Sequence, residues 1–288
     1  MDAYDERELP SAVYTPASQM RTPGRLIRSM WKDLKGSREL AWRLFVRDLS
    51  ARYRQSLLGV FWSFVPPVIT GLVFIILHSK RIVNFGSTDI PYPVFAMVGT
   101  LLWQLFTESL NAPLSTVKAA APILVKINFP REALIVSAFY QMLFSLSIKV
   151  VVIIGVLLVF GMKVTPWLIP SLLIMIALIL LGMGIGLLLT PVGMLYSDIA
   201  SILAVGIQFW FFITPVVYPA PTTFPYSLIA FLNPVSPLLT GARDVMTKGA
   251  ITHTASFFAV TWLTVVLVVG AWVVYRVTLP IIVERMSS

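Results

Sequence analysis

The chain has 288 residues, of which 57% are hydrophobic and only 12% are charged, and its formal net charge at pH 7 is +9. Soluble domains carry roughly 25% charged residues, so this composition excludes an ordinary soluble protein and indicates an integral membrane protein. The positive charge does not require a nucleic-acid partner, because membrane proteins collect Lys and Arg on their cytoplasmic loops. The absence of cysteine excludes disulfides, cysteine-ligated metals and thiol chemistry.

The first part of the chain is polar, with several acidic residues and prolines and no apolar core of signal-peptide length. We therefore predict a flexible cytosolic tail over 1–37. Residues 38–56 are predicted to form an amphipathic helix along the membrane surface, with an apolar face that includes Leu49 and an arginine-rich face beside it. The residues assigned to this interface helix are Trp42, Arg43, Arg47, Tyr53 and Arg54. A soluble helix packed on a core is the alternative, but an apolar run follows almost at once.

The rest of the chain, 57–276, is predicted to be a membrane domain, because its apolar residues form runs long enough to cross about 30 Å of hydrocarbon as helices. The six predicted spans are 57–77, 92–111, 134–160, 167–190, 199–218 and 255–275, with a cytosolic tail at 277–288. Between the last two spans, prolines interrupt the apolar segments. There we predict two short helices that dip partly back into the membrane. The fold class is thus an all-α integral membrane protein.

The distribution of basic residues predicts the orientation. With the amino terminus inside, sixteen of the twenty-two Lys and Arg residues lie on the cytoplasmic side, and the short loop from Lys118 to Arg131 agrees with this placement. Both termini are therefore expected in the cytoplasm.

Two ionisable residues fall inside predicted spans, Glu108 in the second and Lys149 in the third. A charge at such depth costs roughly 2.5–3.5 kcal/mol on insertion scales, so each should face a partner or water. Their depths differ by about 7 Å at 1.5 Å per residue. An ion pair between them, a position facing a conduit and a proton relay all remain open.

Aromatic residues are abundant in the spans, and four consecutive ones occupy 209–212. Most Trp and Tyr residues near span ends belong to interfacial belts. Some rings of the run must nevertheless face inward, and flat apolar faces would suit sliding sugar rings. The residues predicted to line a conduit are Trp62, Trp103, Phe106, Glu108, Lys149, Phe209, Trp210, Phe212 and Tyr218.

Motifs for chemistry are missing from the sequence. There is no G-x-x-x-x-G-K-[ST] loop to hold ATP phosphates, no G-x-S-x-G and no H-E-x-x-H, and His78 and His253 stand apart from other metal-ligating residues. We therefore expect no catalytic residue, cofactor or metal in this chain, and no ATPase site of its own.

Several motifs, in order, resemble those of a known family. They are YRQSLLG at 53–59 followed by Trp62 and Pro66, PYP at 91–93 followed by Gly99, Trp103 and Glu108, KINFPRE at 126–132, TPVVY at 214–218, and Asn233-Pro234 with Arg243. Over about 38–275 this pattern resembles the permease subunits of ABC-2 type exporters of cell-surface polysaccharides such as O-antigen, capsule and teichoic acid. Where that family usually has Arg-Asp-Ile after the fourth span, this chain has Ser197, Asp198 and Ile199.

The resemblance implies a homodimer of six-span subunits that encloses a conduit in the bacterial inner membrane. Two copies of a separate ATPase subunit would bind ATP and Mg and drive a lipid-linked glycan across. The residues implied for coupling to the ATPase are Lys126, Phe129, Pro130, Arg131, Glu132 and Asp198, and those implied for a gate are Asn233, Pro234 and Arg243. Competing interpretations are an ABC-2 permease for a drug, lipid or peptide, a membrane-embedded glycan-modifying enzyme, and a proton-coupled secondary transporter, for which no convincing internal repeat is found.

Overall fold

The computed structural model describes residues 23–54, 59–79, 88–124, 129–221, 223–224 and 226–287, and within these ranges the regular structure is helical, with no strand. The prediction of an all-helical protein is confirmed for that part of the chain. The helices are α1 (Pro23–Gly36), α2 (Arg38–Tyr53), α3 (Val65–Ser79), α4 (Tyr92–Leu124), α5 (Glu132–Val159), α6 (Leu168–Leu195), α7 (Asp198–Ile213), α8 (Tyr226–Leu232), α9 (Val235–Lys248) and α10 (Thr254–Ser287), with a 3₁₀ turn at Gly59–Ser63.

Three helices are long and apolar enough to cross a membrane, namely α5, α6 and the Thr254–Arg285 part of α10. Each lies where the sequence has a long apolar run with at most one or two charged residues. Helix length and hydropathy therefore both indicate a membrane span at these places. The chain is therefore a multi-pass membrane protein. Helix α7 is also apolar but has only 16 residues, about 24 Å at 1.5 Å per residue.

The second predicted span is part of a longer helix. Helix α4 has 33 residues and continues past residue 111 to Leu124, with Pro113 and Pro122 inside it. The polar positions after 111 do not end it, because Lys118 and Ala119 are exposed while Val117 and Ala120 on the other face are buried. The predicted loop that starts at Lys118 is thus helical as far as Leu124, and 125–128 lie outside the described residues.

The amino-terminal region also differs from the prediction. Residues 23–36 of the predicted flexible tail form α1, and helical hydrogen bonds pass through Ser37, whose amide donates to the Asp33 carbonyl and whose carbonyl accepts from the Ala41 amide. The buried face of α2 also lies elsewhere than expected. Ala41, Leu44 and Phe45 pack inward, while Trp42 and Val46 are exposed. A small residue at 41 allows α2 to lie close against α5.

The first predicted span begins irregularly. Gly59, the first residue of the 3₁₀ turn, has a φ of +48°, a conformation that favours glycine. Pro66 then falls in the first turn of α3, where a missing amide costs no helical hydrogen bond. Helix α3 has 15 residues.

Helix α6 lies at the centre of the fold and packs against α4, α9 and α10. Two glycines allow its close approach to α4. A Cβ at Gly182 would lie 2.0 Å from Ser109 Oγ, and one at Gly186 would lie 2.1 Å from the Leu110 carbonyl oxygen. A larger core joins α4, α5, α6 and α9, and a smaller one near the ends of α5 and α10 includes Leu134, Tyr275 and Leu279. We call the smaller one the terminal core.

Candidate functional site

A buried arginine organises the end of the fold where α4 and α10 begin. Arg243 of α9 is 3% exposed. Its Nη1 donates to the Val216 carbonyl at 3.1 Å and its Nη2 to the Pro215 carbonyl at 3.4 Å, and the guanidinium lies 3.6 Å from the centroid of the Phe95 ring. Among the described residues it forms no salt bridge. The arginine thus fixes the irregular segment after α7 against the start of α4 by carbonyl and cation–π contacts.

A glycine makes room for this segment. A Cβ at Gly99 would lie 2.0 Å from the Val216 carbonyl oxygen and 3.2 Å from Arg243 Nη1. Any side chain at 99 would therefore displace the carbonyl that Arg243 binds.

Asn233 forms a second set of links in the same region. Its Oδ1 accepts from Trp210 Nε1 at 3.0 Å and from the Val235 amide at 3.1 Å, and its Nδ2 donates to Thr214 Oγ1 at 2.8 Å. The Asn233 side chain is buried. It therefore joins the last turn of α7 to the start of α9. We call Arg243, Asn233 and the groups that they bind the outer plug, because the orientation predicted from the sequence places this end outside. The three residues predicted for the gate lie in or beside it, since Pro234 precedes α9.

An aromatic cluster continues from the outer plug into the core. Trp103 and Phe106 of α4 lie 6.5 Å and 5.2 Å from the Trp210 ring in edge-to-face contacts, and Trp103 lies 5.8 Å from Phe211. Trp103 is 6% exposed and Phe106 is fully buried. These contacts hold α7 against α4. Inside one protomer, Trp103 and Phe106 are packing residues, and their role as conduit lining stays a prediction.

An ionic cluster lies at the same end of the protein. Lys248 Nζ is 2.6 Å from Asp89 Oδ2 and 3.4 Å from Asp244 Oδ1, and Thr252 Oγ1 donates to Asp244. The hydrogen bond from Lys248 lowers the pKa of the exposed Asp89 carboxyl, and the same bond raises the pKa of Lys248. The cluster ties the loop before α4 to α9.

Glu108 and Lys149 form an ion pair between α4 and α5. Lys149 Nζ lies 2.9 Å and 2.8 Å from the two Glu108 carboxylate oxygens and 2.8 Å from Ser145 Oγ, which itself donates to Glu108. The Lys149 side chain is 7% exposed and the Glu108 side chain is 44% exposed. The structure thus favours the ion pair among the alternatives left open, and it places the carboxylate at a cavity.

That cavity has a volume of about 460 Å³ and lies between α2, α4 and α5. Asp48 and Arg52 line it from α2, and Glu108, Gln141 and Ser145 line it from the other two helices. Gln141 Nε2 of α5 lies 3.4 Å from Asp48 Oδ2 of α2, a long hydrogen bond between the two helices that line the cavity. Polar groups of the bundle therefore meet the interface helix at this cavity.

A second ionic network lies where α1, α5 and α10 meet. Arg276 of α10 binds Glu132 Oε1 at 2.5 Å through Nη1, and through Nη2 it binds Asp33 Oδ2 at 2.7 Å and Ser29 Oγ at 3.2 Å. Beside it, the Tyr275 hydroxyl donates to the Arg131 carbonyl at 3.3 Å. The side chains of Arg276 and Glu132 are 9% and 7% exposed. We call Asp33, Glu132 and Arg276 the terminal latch.

The terminal latch changes the picture of the predicted coupling segment. Glu132, which the resemblance assigns to ATPase coupling, is buried and paired with Arg276. Phe129 is partly buried against the terminal core, and Pro130 is exposed. Burial lowers the pKa of the neighbouring Arg131 guanidinium. Lys126 lies outside the described residues, and Asp198 is an exposed residue at the start of α7.

Other predicted residues lie on the outside of the protomer. Trp62, Phe209 and Phe212 are 57%, 69% and 73% exposed, and Tyr218 OH donates to the Phe212 carbonyl at 2.7 Å. Three residues of α2, Trp42, Arg43 and Arg47, are exposed, as is Arg54 directly after it. The side chain of Tyr53 lies outside the described set. Of the predicted conduit residues, the exposed ones are thus Trp62, Phe209, Phe212 and Glu108, and the others are buried or partly buried.

The sequence reasoning missed Arg276, Asp33 and the Lys248 cluster. Arg276 was considered only in the count of cytoplasmic basic residues, although it follows an apolar run directly and so marks the edge of a span. Asp33 is the one acid between residues 23 and 38. That isolation among basic residues was the signal available in the sequence. Groups of three or more metal-ligating side chains are absent from the described part of the chain.

Residues 39–247 match the ABC-2 type transporter family. The O-antigen export system permease protein RfbA of Myxococcus xanthus is 27% identical over 253 residues, which cover 86% of this chain and 94% of that protein. A protein of the same name from Klebsiella pneumoniae is 28% identical over 215 residues, covering 72% and 80% of the two chains. The polysialic acid transport protein KpsM of Escherichia coli is 23% identical over 244 residues, covering 81% and 91%.

Proposed function

Because this chain belongs to the ABC-2 type transporter family, we propose that it is the permease subunit of an exporter that moves a polysaccharide across the bacterial inner membrane. The observation that carries the proposal is the set of relatives. Two proteins named for O-antigen export and one named for polysialic acid transport align over at least 72% of this chain. Both cargoes are polysaccharides, so we assign a glycan, carried on a lipid, rather than a drug or a peptide.

The energy for export would come from a separate ATPase subunit, present in two copies. This chain lacks a Gly-rich phosphate loop, so ATP and Mg would be held by the partner. The permease would form the path across the membrane, and the ATPase subunit would supply the force that moves the glycan.

The segment 129–132 supports a coupling role at the cytoplasmic face. Phe129 touches the terminal core, Pro130 is exposed, and Glu132 begins α5 while it binds Arg276 of α10. A partner that pushes on this segment would thus move α5 and α10 together. Phe129 has the character of an aromatic anchor of an interface, and Arg131 would contribute to register more than to affinity.

The conduit would form between two copies of the chain. Phe209 and Phe212 of α7 and Trp62 before α3 are exposed in one protomer, and no residue of α7 is buried. Contiguous exposed apolar faces of this kind suit lipid or a second subunit. A homodimer that faces α3 and α7 toward its axis would bring these aromatic rings to the path.

Six spans with both termini in the cytoplasm fit this arrangement. Three spans would be α5, α6 and α10. The other three would be α4, α3 with its preceding turn, and α7 with the segment after it. Helices α8 and α9 would enter the membrane only partly, from the outer side. The excess of Lys and Arg on the amino-terminal side supports this orientation.

The coupling proposal is tested with Phe129→Ala and Arg131→Glu. Both variants should insert and dimerise normally but lose polysaccharide export, with ATPase subunits either failing to copurify or hydrolysing ATP without export. Lys163→Glu is the control, because Lys163 is exposed in the turn between α5 and α6 at the other end of the spans. Normal export by both coupling variants would show that the segment is an inert basic loop.

A further inference from the structure

Helix α1 has an exposed face that neither the fold nor the proposed transport mechanism uses. Trp31 is 57% exposed, Lys32 and Lys35 are exposed beside it, and Lys35 Nζ lies 5.6 Å above the Trp31 ring. On the opposite side, Met30 is 2% exposed and Asp33 turns inward. We call Trp31, Lys32 and Lys35 the outer face of α1.

The terminal latch fixes the level of α1 relative to the membrane. Asp33 and Ser29 both bind Arg276, which lies 22 residues after Thr254, the first residue of α10. At 1.5 Å per residue this is about 33 Å, close to the roughly 30 Å of the hydrocarbon layer. Arg276 therefore lies at the membrane boundary, and α1 is held at the depth of the lipid headgroups instead of out in the cytosol.

The chemistry of the outer face matches such a position. Tryptophan is enriched at membrane–water interfaces, and each Lys or Arg near an anionic surface contributes about 1 kcal/mol, roughly fivefold in population. Between residues 23 and 38 the sequence has five basic residues and one acid, Asp33, whose carboxylate is occupied by Arg276. Within 23–38 the face that points outward thus carries positive charge only, and the next acid, the exposed Glu39, is paired with Arg43.

The same stripe continues along α2. Helical hydrogen bonding passes through Ser37, so Trp42, eleven residues after Trp31, lies about 20° away on the same side at 100° per residue, and it is 55% exposed. Two tryptophans about 16 Å apart along one helical direction form a flat, amphipathic edge. Lysine is depleted in protein–protein interfaces, which favours lipid over a protein as the occupant.

We propose that the outer face of α1 binds anionic phospholipid of the cytoplasmic leaflet, with Trp31 inserted at the headgroup level and Lys32 and Lys35 paired with lipid phosphates. The terminal latch then links this lipid contact to the first residue of α5. The proposal rests on the proposed function only for the sidedness of the membrane.

The experiment uses the absence of cysteine, which allows a single spin label to be placed by substitution. The full-length chain carrying Trp31→Cys is labelled in nanodiscs that contain either phosphatidylglycerol with phosphatidylethanolamine or phosphatidylcholine alone. Collision rates with oxygen and with a water-soluble nickel chelate then report the depth of the label. Gly36→Cys is the matched control, because position 36 is exposed on α1, has nothing within 4 Å of a built Cβ, and lies on another face.

In anionic nanodiscs we expect the oxygen-to-nickel ratio at position 31 to exceed that at position 36 severalfold, and to fall toward the control in phosphatidylcholine. Adding Lys32→Glu and Lys35→Glu should reduce the inserted population at least roughly 25-fold, from about fivefold per charge lost. Lys163→Glu should leave it unchanged. If the charge variants misfold, the comparison of anionic with phosphatidylcholine nanodiscs tests the proposed lipid contact by itself.

Equal nickel accessibility at positions 31 and 36 in anionic nanodiscs would overturn the proposal. Protection of position 31 only after ATPase subunits are added would also overturn it, and would assign the outer face to a protein partner. Neither measurement depends on transport, so their outcome is separate from that of the proposed export function.

Discussion

The Glu108–Lys149 pair predicts an asymmetric response to mutation. Lys149 is 7% exposed, whereas Glu108 is 44% exposed and lines a cavity. Glu108→Gln would leave an ammonium group almost without water, and Lys149→Met would leave a carboxylate that the cavity can hydrate. Removing one partner of a fully buried pair costs about 3–5 kcal/mol. Because Glu108 is partly exposed, we expect about 2–3 kcal/mol for Glu108→Gln and about 1 kcal/mol or less for Lys149→Met.

The double variant Glu108→Gln/Lys149→Met should be close to Lys149→Met alone, since no buried charge is left without a partner. The free-energy losses of two single variants are expected to add only when the two sites share no contacts, and these two groups are 2.8 Å apart. Removing the charge of Lys149 should therefore rescue most of the loss caused by Glu108→Gln.

The assay is thermal unfolding of the purified permease in one detergent, followed by near-ultraviolet circular dichroism. At about 2–4 °C per kcal/mol, Glu108→Gln should lower Tm by roughly 4–12 °C and Lys149→Met by much less. The matched control is Ser147→Ala, because Ser147 is exposed on α5 and bonds only its own helix. A larger loss for Lys149→Met, or strictly additive losses, would refute the argument from burial.

Three further predictions concern the two ends of the fold. Gly99→Ala places a Cβ 2.0 Å from the Val216 carbonyl oxygen, and thermal unfolding should show a loss of stability of about 1–3 kcal/mol or more. The control is Gly155→Ala, which has open space around its Cβ and should be neutral or stabilising by about 0.5–1 kcal/mol. Arg276→Gln leaves a buried carboxylate without its ion pair and should cost about 2–4 kcal/mol; normal Tm with normal export would contradict the terminal latch. Trp62→Leu should insert normally but slow export in a cell-surface polysaccharide assay if the exposed ring touches the glycan, and export at the normal rate would assign it to the interfacial belt.

The helices with a long apolar sequence were predictable, whereas the full length of a helix that extends out of the membrane was not. Length and hydropathy define α5 and α6, because a helix that crosses the hydrocarbon layer must be apolar over most of its length. The continuation of α4 to Leu124 was missed because Lys118 was taken as a loop residue. A helix that leaves the membrane needs only one apolar face, and that face is visible in the pattern of Val117, Ala120 and Leu124, three and four residues apart.

The amino-terminal helices show a different limit. Helix α1 was missed because its segment was judged by overall composition, although Met30 and Leu34, four residues apart, form a local apolar pattern. On α2 the most apolar face was chosen, yet the buried face is the one that contains Ala41 and Leu44. Close packing against α5 depends on small side chains and not on total hydrophobicity. Depth arithmetic did bring Glu108 and Lys149 together, because both lie inside helices that pack on each other.

The two ends of the protomer hold different helices, and this difference bears on where the path can open. The outer plug attaches the last turn of α7 through Trp210, Thr214 and Asn233, while the opposite end of α7, at Asp198, is exposed and no residue of the helix is buried. The terminal latch instead binds α1, α5 and α10 to one another and does not include α7. A force applied to the segment before α5 would therefore move the latched helices as a unit relative to α7. In the proposed orientation, the path for a chain of sugars would widen first beside the Asp198 end of α7, which lies on the cytoplasmic side and is not held by the outer plug.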